Sequence, residues 1–249
     1  MMIKHLSIAA ALASFVIGCA TNYQRTEVLP MGKIPANRSI DMRGKTITPF
    51  IIYYTVKILK DMQVGEVLEV NTDKFEAIEN DINAWSRMTG NSLIEMETAD
   101  TYQRYYIQKV DQKKNERKLA TIISDPGLEN LLSPLGMALS AALSGTGVYL
   151  YFQGPAVKVL KKEFKAKLSG IQKPFSSFAR KAMAKAGHLP PQEKLEQLKE
   201  LGARLYICGG SMDPFGVKKS ELIFDEVIVA EYLTFLEVMD DADIHIFLQ

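Results

Sequence analysis

Apolar and polar positions fall in blocks whose periods mark strands and helices. Ser39–Arg43 reads as a short strand. Thr48 is placed to cap a helix with Pro49 at its first position, where proline's missing N–H costs nothing. Ile51, Tyr54, Ile58 and Met62 then recur at helical spacing. Gly65 breaks the chain before a strand at Val67, Leu68 and Val70. Thr72 or Asp73 opens a second helix with Phe75, Ile78, Ile82, Trp85 and Met88 along one face, and Gly90 ends it. Leu93–Glu97 and Tyr102–Lys109 read as two strands around a turn at Asp100. The order βαβαββ suffices for one small two-layer α/β domain.

The charged run DQKKNERK follows, and residues 111–116 read as a linker. Leu119–Ser124 and Gly147–Phe152 are strands of the buried type, with a long apolar helix from about Leu128 to Leu143 between them. Pro155 starts another helix, residues 164–191 read as irregular and basic, and Glu193–Leu201 is a helix that Gly202 ends. Arg204–Cys208 and Glu226–Val229 are strands, Glu231–Met239 a helix and Asp243–Leu248 a last strand. Continuous apolar strands alternating with helices predict a mostly parallel sheet covered on both faces.

Composition changes the picture in three places. Hydrophobic residues at 47% and charged residues at 24% exclude a disordered chain. A formal net charge of +1 gives no general argument for nucleic acid, and no binding motif supplies one. The charge is nevertheless segregated: residues 158–185 hold nine Lys/Arg and one acid, whereas residues 221–243 hold eight acids and no base. The basic stretch, interleaved with Phe164, Leu168, Phe175, Phe178 and Met183, suits an anionic membrane surface, the acidic first domain, a partner, or a solvated insertion. Two cysteines and three histidines form no disulfide framework and no zinc-type cluster, so neither metal nor cofactor is expected.

The N-terminus reads as an address. Lys4 precedes an apolar run from Leu6 to Ile17 that is too short to span a bilayer, and Val16-Ile17-Gly18-Cys19 has the form of a bacterial lipobox. The reading is a lipoprotein signal peptide over residues 1–18, lipidation of Cys19, and a polar tether over 19–38 with Pro30 and Pro35. It places the protein outside the cytoplasm, lipid-anchored and facing the periplasm. The alternative is an N-terminal apolar helix with a buried cysteine.

Two sets of motifs carry a resemblance. Asp41-x-Arg43-Gly44, Thr48-Pro49, Gly65-Glu66-x-Leu68-Glu69-Val70 and Ala84-Trp85-x-x-x-Thr89-Gly90 make residues 39–110 similar to the TusA (SirA) family of sulfur carriers. That family's mark is a Cys-Pro pair at a helix start; here the pair is Thr48-Pro49, with one extra residue after Gly44. A threonine hydroxyl stays protonated and carries no persulfide, so the resemblance implies a module that kept its shape and lost its carrier atom. Such a module serves docking or regulation, or is a structural remnant.

The second set is Gly147-Val-Tyr-Leu-Tyr-Phe152 leading into Gly154-Pro155, then Leu198-x-x-Leu201-Gly202-Ala203-x-Leu205-Tyr206-Ile207-Cys208, Ser211-Met212-Asp213, Gly216, Thr234-Phe235-Leu236 and Ala242-Asp243. It makes residues 117–249 resemble the DsrE/DsrF family of sulfur-relay proteins. The resemblance implies a flavodoxin-like three-layer αβα fold, sulfur donor and acceptor proteins as partners, and assembly into oligomers. The stretch from Lys165 to Pro191 is longer than in compact family members.

Cys208 is the residue on which chemistry would rest. It falls at the carboxyl end of a strand, where open parallel sheets gather reacting groups. Gly209-Gly210 allow close backbone approach, and Ser211 or Asp213 caps the next helix with Pro214 in its first turn. Amides at a helix start favour an ionised thiol, which attacks sulfane sulfur and holds it as a persulfide without a general base. On this reading the sulfur is bare at the edge of the sheet. The competing readings are a packed core cysteine in a non-catalytic scaffold, and a thiol redox sensor. Asp213 and Lys218 either tune the site or serve as a plain cap and a surface charge. His188 reads as a solvated loop residue, and His245 as a hydrogen-bonded structural one.

Overall fold

A computed structural model describes residues 32–111 and 116–248. The expected signal peptide, the lipidation site Cys19, most of the tether and most of the linker lie outside the described residues.

The first unit runs β1 (Arg38–Asp41), α1 (Thr48–Lys60), β2 (Val67–Asp73), α2 (Glu76–Thr89), β3 (Ser92–Thr98) and β4 (Tyr102–Gln108), the expected βαβαββ order. Its sheet has the order β1-β2-β4-β3, with β1 parallel to β2 and β4 antiparallel to both of its neighbours. Register puts Leu68 opposite Ile107 and Val70 opposite Tyr105, so these four share one face. They are fully buried in one core with Ile51, Ile78, Ile82 and Trp85 of the two helices. On the other face Arg104 is buried and bonded to Glu97, Asn71 and Tyr102.

Two helix starts differ from the expectation. α1 begins at Thr48 itself, with Ile47 in the cap position and no side-chain cap, so Thr48 does not cap it. α2 begins at Glu76, because Thr72 and Asp73 stay in β2, paired with Gln103 and Tyr102 of β4. Ladder bonds along a growing strand outcompete a cap that would end it. Gly90 ends α2 in the left-handed conformation, φ 74°, as expected.

The second unit contains β5 (Lys118–Ile123), α3 (Leu128–Leu143), β6 (Gly147–Phe152), α4 (Ser176–Ala186), α5 (Pro191–Glu200), β7 (Arg204–Cys208), α6 (Gly209–Met212), β8 (Ile228–Ala230), α7 (Tyr232–Asp240) and β9 (Ile244–Leu248). Its five strands have the order β8-β7-β6-β5-β9 and are all parallel, in the expected layered architecture. α3 and α5 pack together on one side. On the other lies α7, whose Phe235 stacks on Tyr151 at 4.7 Å between ring centroids and meets Tyr206 edge-on.

The segment after β6 is a 3-10 helix, Gly154–Leu160, rather than the helix expected from Pro155. All of its apolar residues, Ala156, Val157, Val159 and Leu160, are buried, so it lacks the polar face of a surface α-helix. The stretch read as irregular contains a second 3-10 turn, Gly170–Phe175, and α4.

The helices of the first unit dock on α3 and α5. Trp85 Nε1–H donates to the Leu143 carbonyl at 2.9 Å, closing α2 onto the end of α3. The Tyr53 hydroxyl donates to Glu200 Oε2 at 2.5 Å, and burial together with this carboxylate raises the phenol well above its ordinary range. The basic insertion reaches the first unit through its backbone. Thr46 N–H donates to the Ala186 carbonyl at 3.0 Å, and Lys45 Nζ donates to that of Lys185.

Candidate functional site

Cys208 is the last residue of β7, one strand in from the edge formed by β8. Strand alternation puts it on the same face as Tyr206, toward α7. Its surroundings differ from the open thiol expected from the sequence: the residue is only 2% exposed. Sγ lies 3.1 Å from the Ser211 hydroxyl and 3.7 Å from Glu231 Oε2. The Tyr151 hydroxyl is buried on the same side without a well-formed hydrogen bond, and burial with Cys208 and Glu231 beside it raises the phenol far above its ordinary range.

The roles of the neighbouring residues also change. Gly209 and Gly210 do begin a short helix directly after the strand. The Gly210 amide, however, is engaged by Glu231 Oε1 at 2.6 Å and does not face the sulfur. The two glycines make this possible by having no side chain: a Cβ on Gly209 would stand 2.9 Å from Glu231 Oε1, and one on Gly210 3.4 Å from it. Ser211 is inside α6 and caps nothing; its oxygen accepts the Gly154 N–H at 3.0 Å while its O–H points at Sγ. Asp213 is exposed and occupies the C-terminal cap position of the four-residue α6 rather than opening a helix; Pro214 follows the helix instead of opening it. Lys218 is an exposed surface residue. His245 is hydrogen-bonded as expected, to the Met239 carbonyl at 2.7 Å, but it is exposed.

The residue that sequence reasoning missed is Glu231. It precedes α7 and lies 23 positions from Cys208, and the register of β7 against β8 brings the two together, with Cys208 opposite Ala230. The only earlier signal was its place in the acidic stretch 221–243. Glu231 is itself exposed, so the carboxylate beside the sulfur is in contact with solvent. The local chemistry is therefore a thiol with a hydroxyl donor on one side and a proton acceptor on the other.

Thr48 and Pro49 are far from this cluster, at the start of α1. Thr48 is 4% exposed, and a Cβ on Gly187 would meet Phe50 at 3.4 Å and Ile47 at 3.5 Å. The segment after α4 thus closes against the residues around this helix start, which the structure does not bring to Cys208.

Comparison with known proteins agrees with both halves of this architecture. The chain belongs to the DsrE/DsrF-like family, whose model matches residues 117–248. Residues 38–109 match a second family, sulfurtransferase TusA, so the chain joins domains matched by two family models. The Bacillus subtilis protein named "Putative sulfur carrier protein YrkI" is 32% identical over 75 residues, covering 30% of this chain and 96% of its own. A likewise described protein of Archaeoglobus fulgidus is 32% identical over 71 residues, covering 28% of this chain and 94% of its own. Among solved structures, that of the ychN protein from E. coli aligns with 16% identity and a TM-score of 0.37, covering 53% of this chain and 98% of that one.

Proposed function

We propose that this protein is a sulfur-relay protein that accepts sulfane sulfur as a persulfide on Cys208 and passes it on. The supporting observation is the placement of Sγ between the Ser211 hydroxyl and the Glu231 carboxylate at the carboxyl end of a parallel strand. The membership in DsrE/DsrF and the match to TusA, with sulfur carriers among the relatives, support a sulfur-relay role.

The step balances without a redox cofactor. Cys208 gives its proton to Glu231, and the thiolate attacks the outer sulfur of a donor persulfide, R–S–SH. The donor's S–S bond breaks as the new one forms, and R–S⁻ leaves with the proton. Return of the sulfur to an acceptor thiol is the same exchange reversed. Glu231 must swing aside for a donor to reach Sγ, so the buried arrangement is the resting state in this reading. Thr48 takes the place of the carrier residue in the first domain, which then serves as a docking module closed against the second.

Intact-mass measurement after incubation with polysulfide tests the proposal. With Cys19 replaced by Ser throughout, one added sulfur (about 32 Da) is expected on the chain that keeps Cys208 and absent from Cys208→Ser, because sulfane sulfur adds to a reactive thiolate. An adduct that survives Cys208→Ser would overturn the assignment. The burial of Cys208 favours a second reading, a non-catalytic scaffold in which the thiol is core packing; absence of any adduct supports it.

We also propose that the face beside this site joins two copies of the chain. Ile228 and Val229 on the edge strand β8, with Leu233 and Leu236 on α7, are exposed apolar side chains, Leu233 at 83%. Exposed apolar side chains clustered along an open sheet edge and its neighbouring helix suit an interface. Light scattering of the wild type is expected to give a multimer mass, and Leu233→Glu with Leu236→Glu a monomer; a monomeric wild type sinks this part.

A further inference from the structure

Where the first unit docks on the second, a cleft of about 460 Å³ opens between the start of α1, one side of α3 and the first turns of α5. That volume lies within the range of small-molecule sites, roughly 300–1,000 Å³. Its walls are mostly apolar and include Ile47, Phe50, Leu132, Leu139 and Leu189. Besides the exposed Ser133 and Ser140, three further polar side chains share this lining: His188, Lys194 and Gln197.

Those three are where the structure is incomplete. Lys194 is 5% exposed and has no ion-pair or hydrogen-bond partner among the described residues, and loss of hydration alone lowers its pKa to about 8. Gln197, three residues further along α5, is 7% exposed, and its Oε1 is buried without a donor. His188, expected as a solvated loop residue, is half-buried with Nδ1 equally unpartnered; burial first, and then the Lys194 charge, lower its pKa. A buried ammonium and two orphaned polar atoms are costly unless a ligand completes them. The glycine at 136 adds to the argument, since a Cβ there would meet nothing within 4 Å although the position lies in the middle of α3. The absence of a side chain keeps the cleft open.

We propose that this cleft binds a small amphipathic monoanion, an apolar-bodied carboxylate bearing a hydroxyl or amide next to the charge. Lys194 is its counter-ion, Gln197 Oε1 accepts from the adjacent donor, and the apolar walls take the tail. Chemical need selects each part: the ammonium requires an anion, the amide oxygen requires a donor, and most of the remaining lining is apolar. The site lies on the α3/α5 side of the sheet, whereas Cys208 faces α7, so it does not depend on the reading of the thiol.

Calorimetric titration of the purified full chain is the test, using sodium 2-hydroxyoctanoate, octanoate, 1-octanol and inorganic sulfate as probes. One-to-one saturable binding of the hydroxy acid is expected, with octanoate about threefold to tenfold weaker and octanol weaker still. Sulfate, having no tail, is expected to give no heat. Lys194→Met is expected to weaken the two acids about tenfold or more while leaving octanol unchanged. Gly136→Phe fills the cleft and abolishes binding of all the organic probes, and circular dichroism checks that both variants fold. Octanol binding as tightly as octanoate, acid affinity unchanged in Lys194→Met, binding that persists in Gly136→Phe, or no saturable binding would each overturn the proposal.

Discussion

Replacing Glu231 by alanine is expected to speed alkylation of Cys208 by iodoacetamide roughly tenfold to a hundredfold, because a hydrogen bond to a charged acceptor contributes about 1.5–3 kcal/mol to the closed state. Cys208 is 2% exposed, and the exposed Glu231 side chain beside its sulfur is held by the Gly210 amide at 2.6 Å. Alanine removes both the cover and the bond that holds it. Glutamine keeps the shape and the acceptor for the Gly210 N–H but not the charge, so Glu231→Gln separates covering from proton acceptance. Its alkylation and its persulfide formation are both expected to fall below the wild type, because each needs the thiolate. If Glu231→Ala reacts as slowly as the wild type, something other than this carboxylate seals the thiol, and the relay proposal loses its route to the sulfur.

Lys194→Met is expected to stabilise the protein at pH 7, by about 3 kcal/mol, since each pKa unit corresponds to about 1.4 kcal/mol. Burial lowers the Lys194 pKa from 10.5 to about 8, with no counter-charge to oppose it. Below the folded value, both the folded and the unfolded chain carry the proton, and the folded state bears the full desolvation cost. Between about 8 and 10.5 only the unfolded chain binds the proton, so wild-type stability attributable to this group rises with pH. Methionine has a similar stem and no charge, so the difference between variant and wild type should shrink as pH climbs through that window. Urea unfolding at pH 7 and pH 10 measures both terms; a variant less stable than wild type at pH 7 would contradict the buried, unpaired ammonium. A residue that weakens the fold and is expected to strengthen binding has the character of a functional site.

Local pattern was enough where one face of an element decides its structure. The bounds of α3, β6 and β7 were read from the chain as they stand in the fold, because apolar residues there are dense and flanked by turn residues. Other parts left no such signal. α4 buries only Ser176, so it presents no apolar stripe to find, and it is held by neighbours such as the first unit's Thr46. The Gly154–Leu160 segment is short and apolar except for Lys158, a pattern that a strand, an α-helix and a 3-10 turn share. Thr48 looked like a cap because its residue type suits one, but the backbone placed it one step inside the helix.

The candidate site divides in the same way. That Cys208 ends a strand and is followed by two glycines could be read directly, since both are properties of neighbouring residues. Its cover could not, because Glu231 arrives through strand pairing between distant segments, and the glycines turned out to make room for that carboxylate. By itself the sequence determined the two α/β units, their element order and the position of the thiol, all of which follow from short-range periodicity and turn chemistry. Only the tertiary structure decided how exposed that thiol is, what hydrogen-bonds to it, and that docking the two units leaves Lys194 and Gln197 unpaired in a shared cleft. Burial and partner choice depend on which distant surfaces meet, and no local pattern encodes that.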